Sequence, residues 1–414
     1  MTDIDRFIDG ARLWARHEAL AAFGATPAGG VDRPALSRAE INARAQLMRW
    51  GAAIGLQPST DEIANLFLRL PGRNPDLPPV LVGSHIDSQP TGGKYDGVYG
   101  VLTGLECLEA IMASGTKPLR SIELVCWTNE EGSRFAPGMM GSAAFAGKRR
   151  LQDILAVRDA DGITVADALR DVRAAESALA HRPLCGTPAA YLEAHIEQGP
   201  ILEMQSIPIG IVTGIQGKRT FRVRITGEEN HAGTSPRSAR KDALMDSIRV
   251  VSALRDAFAD PEDIIRFTVG LFTVKPNAPS VVPSEVEFSI DLRHPDAAQL
   301  TSLGDKISSI CEANCLSCRV DVRELIHDPP LEFPPPLRER LRAAARELGL
   351  PHMEIPSGAG HDARFLHYVC PTAMIFIPCW KGISHSENER ITQADALAGA
   401  RVLTMLVSQL ANEA

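Results

Sequence analysis

Apolar residues recur along this chain with two periods, and the switch between them outlines its architecture. Over residues 37–54, Ile41, Ala45, Leu47, Met48 and Ala52 fall at helical spacing and predict an amphipathic helix. From Pro79 onward, short apolar runs alternate with helical patterns: Val80-Leu81-Val82, a helix over 101–112, the run Ile122-Glu123-Leu124-Val125-Cys126-Trp127, then mixed segments up to Ile201. That rhythm predicts an α/β layer with a mainly parallel sheet. Near Gly210 the rhythm changes. A strand over 219–226, a helix over 238–257, strands over 264–274 and 285–292, a helix over 297–313 and a strand over 319–325 give the β-α-β-β-α-β order of a ferredoxin-like unit. Gly210, Gly214 and Gly217 precede it, and Pro329, Pro330, Pro334, Pro335 and Pro336 follow, a hinge-like composition on both flanks. A helix over 337–348, the run Ala373-Met374-Ile375-Phe376-Ile377 and a helix over 393–410 then return to the first layer. The expected fold class is α/β with two domains: a large α/β domain, residues 1–211 and 328–414, into which an α+β domain, residues 212–327, is inserted.

Composition narrows the function classes. At 414 residues two domains are the prior expectation. A hydrophobic fraction of 44% with 23% charged residues is that of an ordinary globular protein, and no apolar run approaches the roughly 18 residues that a membrane span needs. No membrane role is expected. The start, Met-Thr-Asp-Ile-Asp-Arg-Phe, lacks the basic and apolar stretches of a secretory signal, and eight scattered cysteines argue for free thiols; both point to the cytoplasm. Cys311, Cys315 and Cys318 could form a metal knuckle, but no close fourth donor pair accompanies them. The net charge of −8 disfavours nucleic acid as a partner, since phosphate binding needs a basic footprint.

Candidate chemistry lies in five short stretches: Gly83-Ser84-His85-Ile86-Asp87, Gly93-Lys94-Tyr95-Asp96-Gly97, Asn129-Glu130-Glu131-Gly132, Glu193-Ala194-His195-Ile196-Glu197 and Ile383-Ser384-His385-Ser386. His85 and Asp87 follow an apolar strand, where ligand sites in open α/β sheets gather. Asp96 lies among glycines that let a short carboxylate turn back toward a cation. Glu130 and Glu131 are adjacent carboxylates that need a cation or a proton to hold both. Any one of these residues alone reads as a turn, a solvated charge or a hydrogen-bonded core imidazole. Together they supply three imidazoles and two or more carboxylates, all outside the inserted domain, a set that suits zinc, manganese, cobalt or nickel.

Longer strings carry a resemblance. Gly83-Ser84-His85-Ile86-Asp87-Ser88-Gln89-Pro90-Thr91-Gly92-Gly93-Lys94-Tyr95-Asp96-Gly97, Trp127-Thr128-Asn129-Glu130-Glu131-Gly132-Ser133-Arg134-Phe135 and His195-Ile196-Glu197-Gln198-Gly199-Pro200 closely resemble the N-carbamoyl-L-amino-acid hydrolase, β-ureidopropionase and allantoate amidohydrolase group. That group belongs to the metal-dependent aminoacylase and carboxypeptidase superfamily. The resemblance continues through His231-Ala232-Gly233-Thr234, Pro276-Asn277-Ala278-Pro279, Asp291-Leu292-Arg293-His294-Pro295, Gly358-Ala359-Gly360-His361-Asp362 and Gly382-Ile383-Ser384-His385, nearly the whole chain. It implies that Asp96 bridges two divalent metal ions, one also bound by His85 and His195, the other by Glu131 and His385. It further implies that Asp87 accepts a hydrogen bond from His85, and that Glu130 is the general base that moves a proton from water to the leaving nitrogen. The large domain would be the catalytic one, and the insert a lid and dimerisation domain.

For the substrate, a small ureido acid, the resemblance assigns Arg293 to its carboxylate, Asn277 and Gln198 to its carboxylate or ureido group, Gly360 to a close backbone approach and His231 to the oxyanion. One departure stands out: relatives often continue the last motif with Thr-Thr-Pro-Met, whereas this chain has Thr234-Ser235-Pro236-Arg237. Arg237, with Arg240 and Lys241, is either a solvated helix start or a preference for a substrate with an extra anionic group. The expected reaction is cleavage of the carbamoyl C–N bond of an N-carbamoyl-L-amino acid. Allantoate, ureidoglycolate and N-carbamoyl-β-alanine are the alternatives, then a dipeptidase or aminoacylase, and last an inactive binding scaffold.

Overall fold

In the computed structural model, which describes residues 4–413, the chain divides into two compact units. One joins the residues up to Thr213 with those from Phe333 on, and the other is Gly214–Glu332.

The larger unit is built on a mixed sheet. Its central strands lie in the order Ile209–Ile215, Thr372–Ile377, Ala190–Ile196, Val80–His85, Ile122–Trp127, Leu66–Leu70, Gln57–Thr60. The four from Thr372–Ile377 to Ile122–Trp127 are paired parallel, whereas the flanks are antiparallel apart from a short parallel pairing of Gln57–Thr60 with Ala180–His181, so the expectation of a mainly parallel sheet holds chiefly for the centre. Gln57–Thr60 and Leu66–Leu70 are joined by a turn too short for a crossover, which forces an antiparallel pair. In that turn Asp61 accepts hydrogen bonds from the amides of Ile63 and Asn65. The helix Val98–Ala113 is apolar and buried on nearly all sides, packed against the sheet and against the last helix, Gln393–Ala411, which touches the same sheet. The early helix forms as Arg38–Ala53, with the Ser37 hydroxyl accepting from the Glu40 amide at its start.

The smaller unit has its own core, in which Phe221, Val223, Ile225, Val286, Phe288, Ile290 and Leu292 meet helices Ala243–Ala257 and Ala297–Asn314. Two boundaries differ from expectation. The first helix begins at Ala243 rather than near residue 238, because Pro236 opens a separate 3-10 turn, Arg237–Ala239, and Asp242 caps the helix through the amides of Leu244 and Met245. The single strand expected over 264–274 is two, Arg266–Thr268 and Phe272–Lys275, both antiparallel to Glu285–His294. The three residues between them oppose only Ser289 and Ile290, one residue too many for a regular ladder, which makes a bulge there.

Candidate metal centre and substrate site

The parallel centre of the sheet delivers its chemistry from one edge. His85 is the last residue of Val80–His85, in register with Trp127, the last residue before the loop that carries Glu130 and Glu131. His195 lies one residue before the end of Ala190–Ile196, opposite Phe376, from which the chain runs on to His385. Asp96 enters from the loop before helix Val98–Ala113. There Gly97 has φ +66° and a Cβ would lie 2.3 Å from Nε2 of His85, so only glycine fits.

Two donor trios share Asp96: His85, Asp96 and His195, and Asp96, Glu131 and His385, with all donor atoms of each trio within 4.8 Å of one another. Nε2 of His195 is 3.1 Å from Oδ1 of Asp96, while Nε2 of His385 is 3.1 Å from its Oδ2 and 3.4 Å from Oε2 of Glu131. One carboxylate therefore offers a different oxygen to each trio. Ring orientation is set from behind. Nδ1 of His85 meets the main-chain oxygen of Asp87 at 3.0 Å, and Nδ1 of His195 that of Ile196 at 2.9 Å. Both imidazoles thus carry their proton on Nδ1 and turn the Nε2 lone pair inward, as metal-ligating histidines do. The Gly97 amide pointing at Nε2 of His195, 3.2 Å away, agrees with that tautomer.

Asp87 does more than support His85. Its carboxylate accepts from the amides of both Glu130 and Glu131, each at 3.1 Å, and so fixes the turn that separates their side chains. Glu131 turns toward His385, whereas Oε2 of Glu130 lies 3.5 Å from Nε2 of His85 and belongs to neither trio.

The charge balance fits cations. Burial pushes Glu130 well above the usual carboxylate range and Glu131 up to about 7, with neighbouring carboxylates adding to both. His385 is raised to about 9, first by its bond to Asp96. Burial opposes the charged forms of Asp96 and His85 as well. Even so, His195 and His385 hold Asp96 well below its ordinary value, and Glu130, Asp87 and Asp96 raise His85. Without cations, protons must compensate this concentration of carboxylates; two divalent ions would replace them.

A third trio, Glu193, His195 and His361, reuses His195. Oε1 of Glu193 already accepts from Ser84, and its Oε2 from Tyr191 and the Ala363 amide, so its carboxylate serves as a support beneath the site. Sequence reasoning gave no role to Glu193, to His361, whose ring centroid is 4.4 Å from that of His195, or to Asp362, which is bonded to Ser142. The strings that carry the resemblance contain His361 and Asp362 but say nothing about which groups they touch. No cysteine joins a donor group among the described residues: Cys315 instead donates to the Cys318 carbonyl.

Of the substrate candidates, Gln198 reaches the centre. Its Nε2 donates to Oδ2 of Asp96 at 2.9 Å and to Ser384 at 3.2 Å, and its Oε1 is buried without a partner. Gly360 lies beside Met139, whose Cε would be 3.3 Å from a Cβ there. Gln198, His385 and Asn277 all hold left-handed backbone, a conformation that costs non-glycine residues energy and collects at functional sites.

The remaining candidates lie in the smaller unit. His231 accepts the amides of Gly233 and Thr234 on Nδ1, at 3.0 and 3.2 Å, leaving Nε2 as its donor. Arg293 pairs in two-pronged fashion with Asp291, at 2.8 and 3.2 Å. The basic cluster separates: Arg240 ties down the His231 loop through the oxygens of Ala232 and Ser235, Lys241 pairs with Glu228, and Arg237 stays exposed.

Residues 81–409 match the model of peptidase family M20/M25/M40. The chain belongs to that family. Its members are metal-dependent hydrolases, in keeping with the two donor trios. The chain is 38% identical to an N-carbamoyl-L-amino-acid amidohydrolase of Rhizobium meliloti, with 98% of each chain covered. It is 35% identical to the allantoate amidohydrolase of Bacillus subtilis strain 168, over 95% of this chain and 96% of that one. Among solved structures, an amidase of the hydantoinase/carbamoylase family from Burkholderia vietnamiensis matches with a TM-score of 0.90 at 41% identity, covering 98% of both chains. Among the described residues, no helix of this family member is long and apolar enough to cross a membrane.

Proposed function

We propose that the chain hydrolyses the carbamoyl C–N bond of an N-carbamoyl-L-amino acid, giving the amino acid, ammonia and carbon dioxide. The observation that carries this reading is the pair of donor trios sharing Asp96, with Glu130 beside His85 of one, next in the chain to Glu131 of the other, and a member of neither. His85, Asp96 and His195 would hold one divalent ion and Asp96, Glu131 and His385 a second; zinc, manganese, cobalt and nickel all suit these donors. Bound there, the ions would acidify water and polarise the scissile carbonyl. Glu130, raised by burial and not committed to a trio, takes the proton from water and delivers it to the leaving nitrogen. Gln198 offers a buried, unpartnered Oε1 to the N–H groups of a ureido function, a donor that a simple acyl group lacks. Relatives named for N-carbamoyl-L-amino acids recur among the matches, while others are named for allantoate and ureidoglycolate.

The smaller unit would act as a lid that grips the substrate and joins two copies of the chain. Strand Glu285–His294 supports the second role. Arg293 lies near its last residue, opposite Lys218, whereas Asn277 and His231 lie near its first, where Lys275 pairs with Glu285 and Val281 with His231. Eight residues of strand separate the two ends by roughly 25 Å, more than a small ureido acid spans. Arg293 of one chain and His231 and Asn277 of another would therefore complete each site, with Arg293 taking the carboxylate and Nε2 of His231 the oxyanion. The eight unpaired cysteines suit the reducing cytoplasm.

Two measurements test this. Ammonia release is followed across N-carbamoyl amino acids, allantoate, ureidoglycolate, N-carbamoyl-β-alanine and dipeptides after metal removal and reloading; N-carbamoyl-L-amino acids are expected to turn over fastest, and activity confined to dipeptides would sink the proposal. Mixing inactive Arg293→Ala and His231→Ala chains should restore activity to about a quarter of wild type, since half the dimers are mixed and each then has one intact site. No recovery on mixing would overturn the split of Arg293 and His231 between two chains.

A further inference from the structure

Glu389 is a buried carboxylate with no place in either donor trio, and its side chain joins the two loops on which the second trio depends. It is 3% exposed. Its Oε1 accepts the backbone N–H groups of Tyr95 at 2.8 Å and Asp96 at 3.0 Å, and its Oε2 accepts the hydroxyl of Ser384 at 2.9 Å. The glycine loop is shaped around this carboxylate: a Cβ on Gly93 would fall 2.0 Å from its Oε1. Glu389 thereby fixes the residue that carries the shared carboxylate, Asp96, to the residue next to His385.

Ser384 adds a directional argument. Its oxygen also lies 3.1 Å from Oδ2 of Asp96, yet a hydroxyl has one proton to give. That Oδ2 already accepts Nε2 of Gln198 at 2.9 Å, and a cation held by Asp96 and His385 would occupy its other lone pair, which would leave Glu389 as the acceptor for the hydroxyl. Ser384 then presents only lone pairs toward Asp96, and Gln198, 3.2 Å away through Nε2, is the donor that meets them. The first trio depends on this tie only through Asp96, because its other two members, His85 and His195, stand on strands whose register with Trp127 and Phe376 holds them.

We propose that Glu389 is a positioning residue for the second metal ion: it sets Asp96 against His385, and its loss weakens that ion without releasing the one at His85 and His195. The inference rests on the two-ion reading above.

The test uses full-length protein stripped of metal and titrated with zinc(II) against a chromophoric chelator, alongside thermal unfolding of the metal-free form. Wild type should bind two ions. Glu389→Gln should weaken one of them about 10- to 100-fold and leave the other, and metal-free unfolding, as in wild type. In a His385→Ala background, which retains only the first ion, Glu389→Gln should have no further effect on zinc binding. Ser384→Ala removes the hydroxyl without touching a buried charge; it should weaken the same ion by a smaller factor, and it decides the matter should Glu389→Gln not fold. Two ions unaffected by these variants, both ions weakened alike, or a remaining ion in the His385→Ala background that responds to Glu389→Gln would overturn the inference. A wild type that binds a single ion would instead overturn the two-ion reading on which it stands.

Discussion

The two donor trios share a carboxylate and differ in almost everything else. His85 and His195 are buried at the ends of neighbouring parallel strands, with side chains 2% and 1% exposed, and each is oriented by a main-chain oxygen behind it. Glu131 and His385 stand on loops; the side chain of His385 is 49% exposed and its backbone is left-handed. The first trio is therefore preorganised by the sheet, and the second is assembled from segments that the sheet does not register. Preorganisation of this kind lowers the cost of ordering ligands around an ion. On the proposed two-ion reading, the buried trio is expected to hold its ion tightly and the solvent-facing trio to exchange its ion more readily.

The largest expected effect tests whether Glu130 stands outside both trios. Glu130→Gln should keep both ions while turnover falls about 10²-fold or more, read by metal analysis and ammonia release on the same sample. Loss of an ion instead would mean that Glu130 and Glu131 exchange roles. The trios themselves are compared next. His195→Ala should abolish tight binding of the first ion and lower the unfolding temperature, because it empties a buried position among His85, His361 and Phe376. His385→Ala should release only the second ion and leave unfolding unchanged. Equal losses of metal and of stability in the two variants would erase the distinction between the trios.

The last effect is on acid stability alone, in the aromatic cluster around Tyr95, the residue before Asp96. His17 is enclosed by Trp14, Tyr95 and Tyr99 without a hydrogen-bond partner on either nitrogen, and burial lowers it to about 3. The folded chain keeps this imidazole neutral, while the unfolded chain protonates it near 6.5. Its contribution is thus complete above about pH 6.5 and is lost as pH falls toward 3, at up to about 1.4 kcal/mol per pH unit. His17→Phe should flatten the decline of unfolding temperature across that window. An unchanged acid limb would show that His17 does not titrate on unfolding.

How much of this was legible beforehand depends on where each residue finds its partners. His85, Asp96, Glu131, His195 and His385 sit in short strings whose composition already pointed to metal donors, and the structure brings them together. Glu389 and Glu193 did not stand out, since their partners are distant in sequence: Glu389 meets the Tyr95 amide across 294 positions, and Glu193 meets the Ala363 amide across 170. The same limit explains the fold. Helix Gln393–Ala411 and strand Ile122–Trp127 follow from local periodicity, but the antiparallel flanks of the large sheet and the bulge between Thr268 and Phe272 depend on which strands become neighbours.

The order of residues alone determined which segments become helices and strands and which side chains carry metal-donor chemistry, because helical and strand periodicities are local and donor atoms belong to residue types. Tertiary structure decided the rest. It separated Glu130 from Glu131, chose the nitrogen that each imidazole turns inward, divided the basic cluster into an anchor, an ion pair and an exposed arginine, and set Arg293 a strand's length from His231. Those outcomes rest on hydrogen bonds and registers between residues far apart in the chain, whose directions no local pattern encodes.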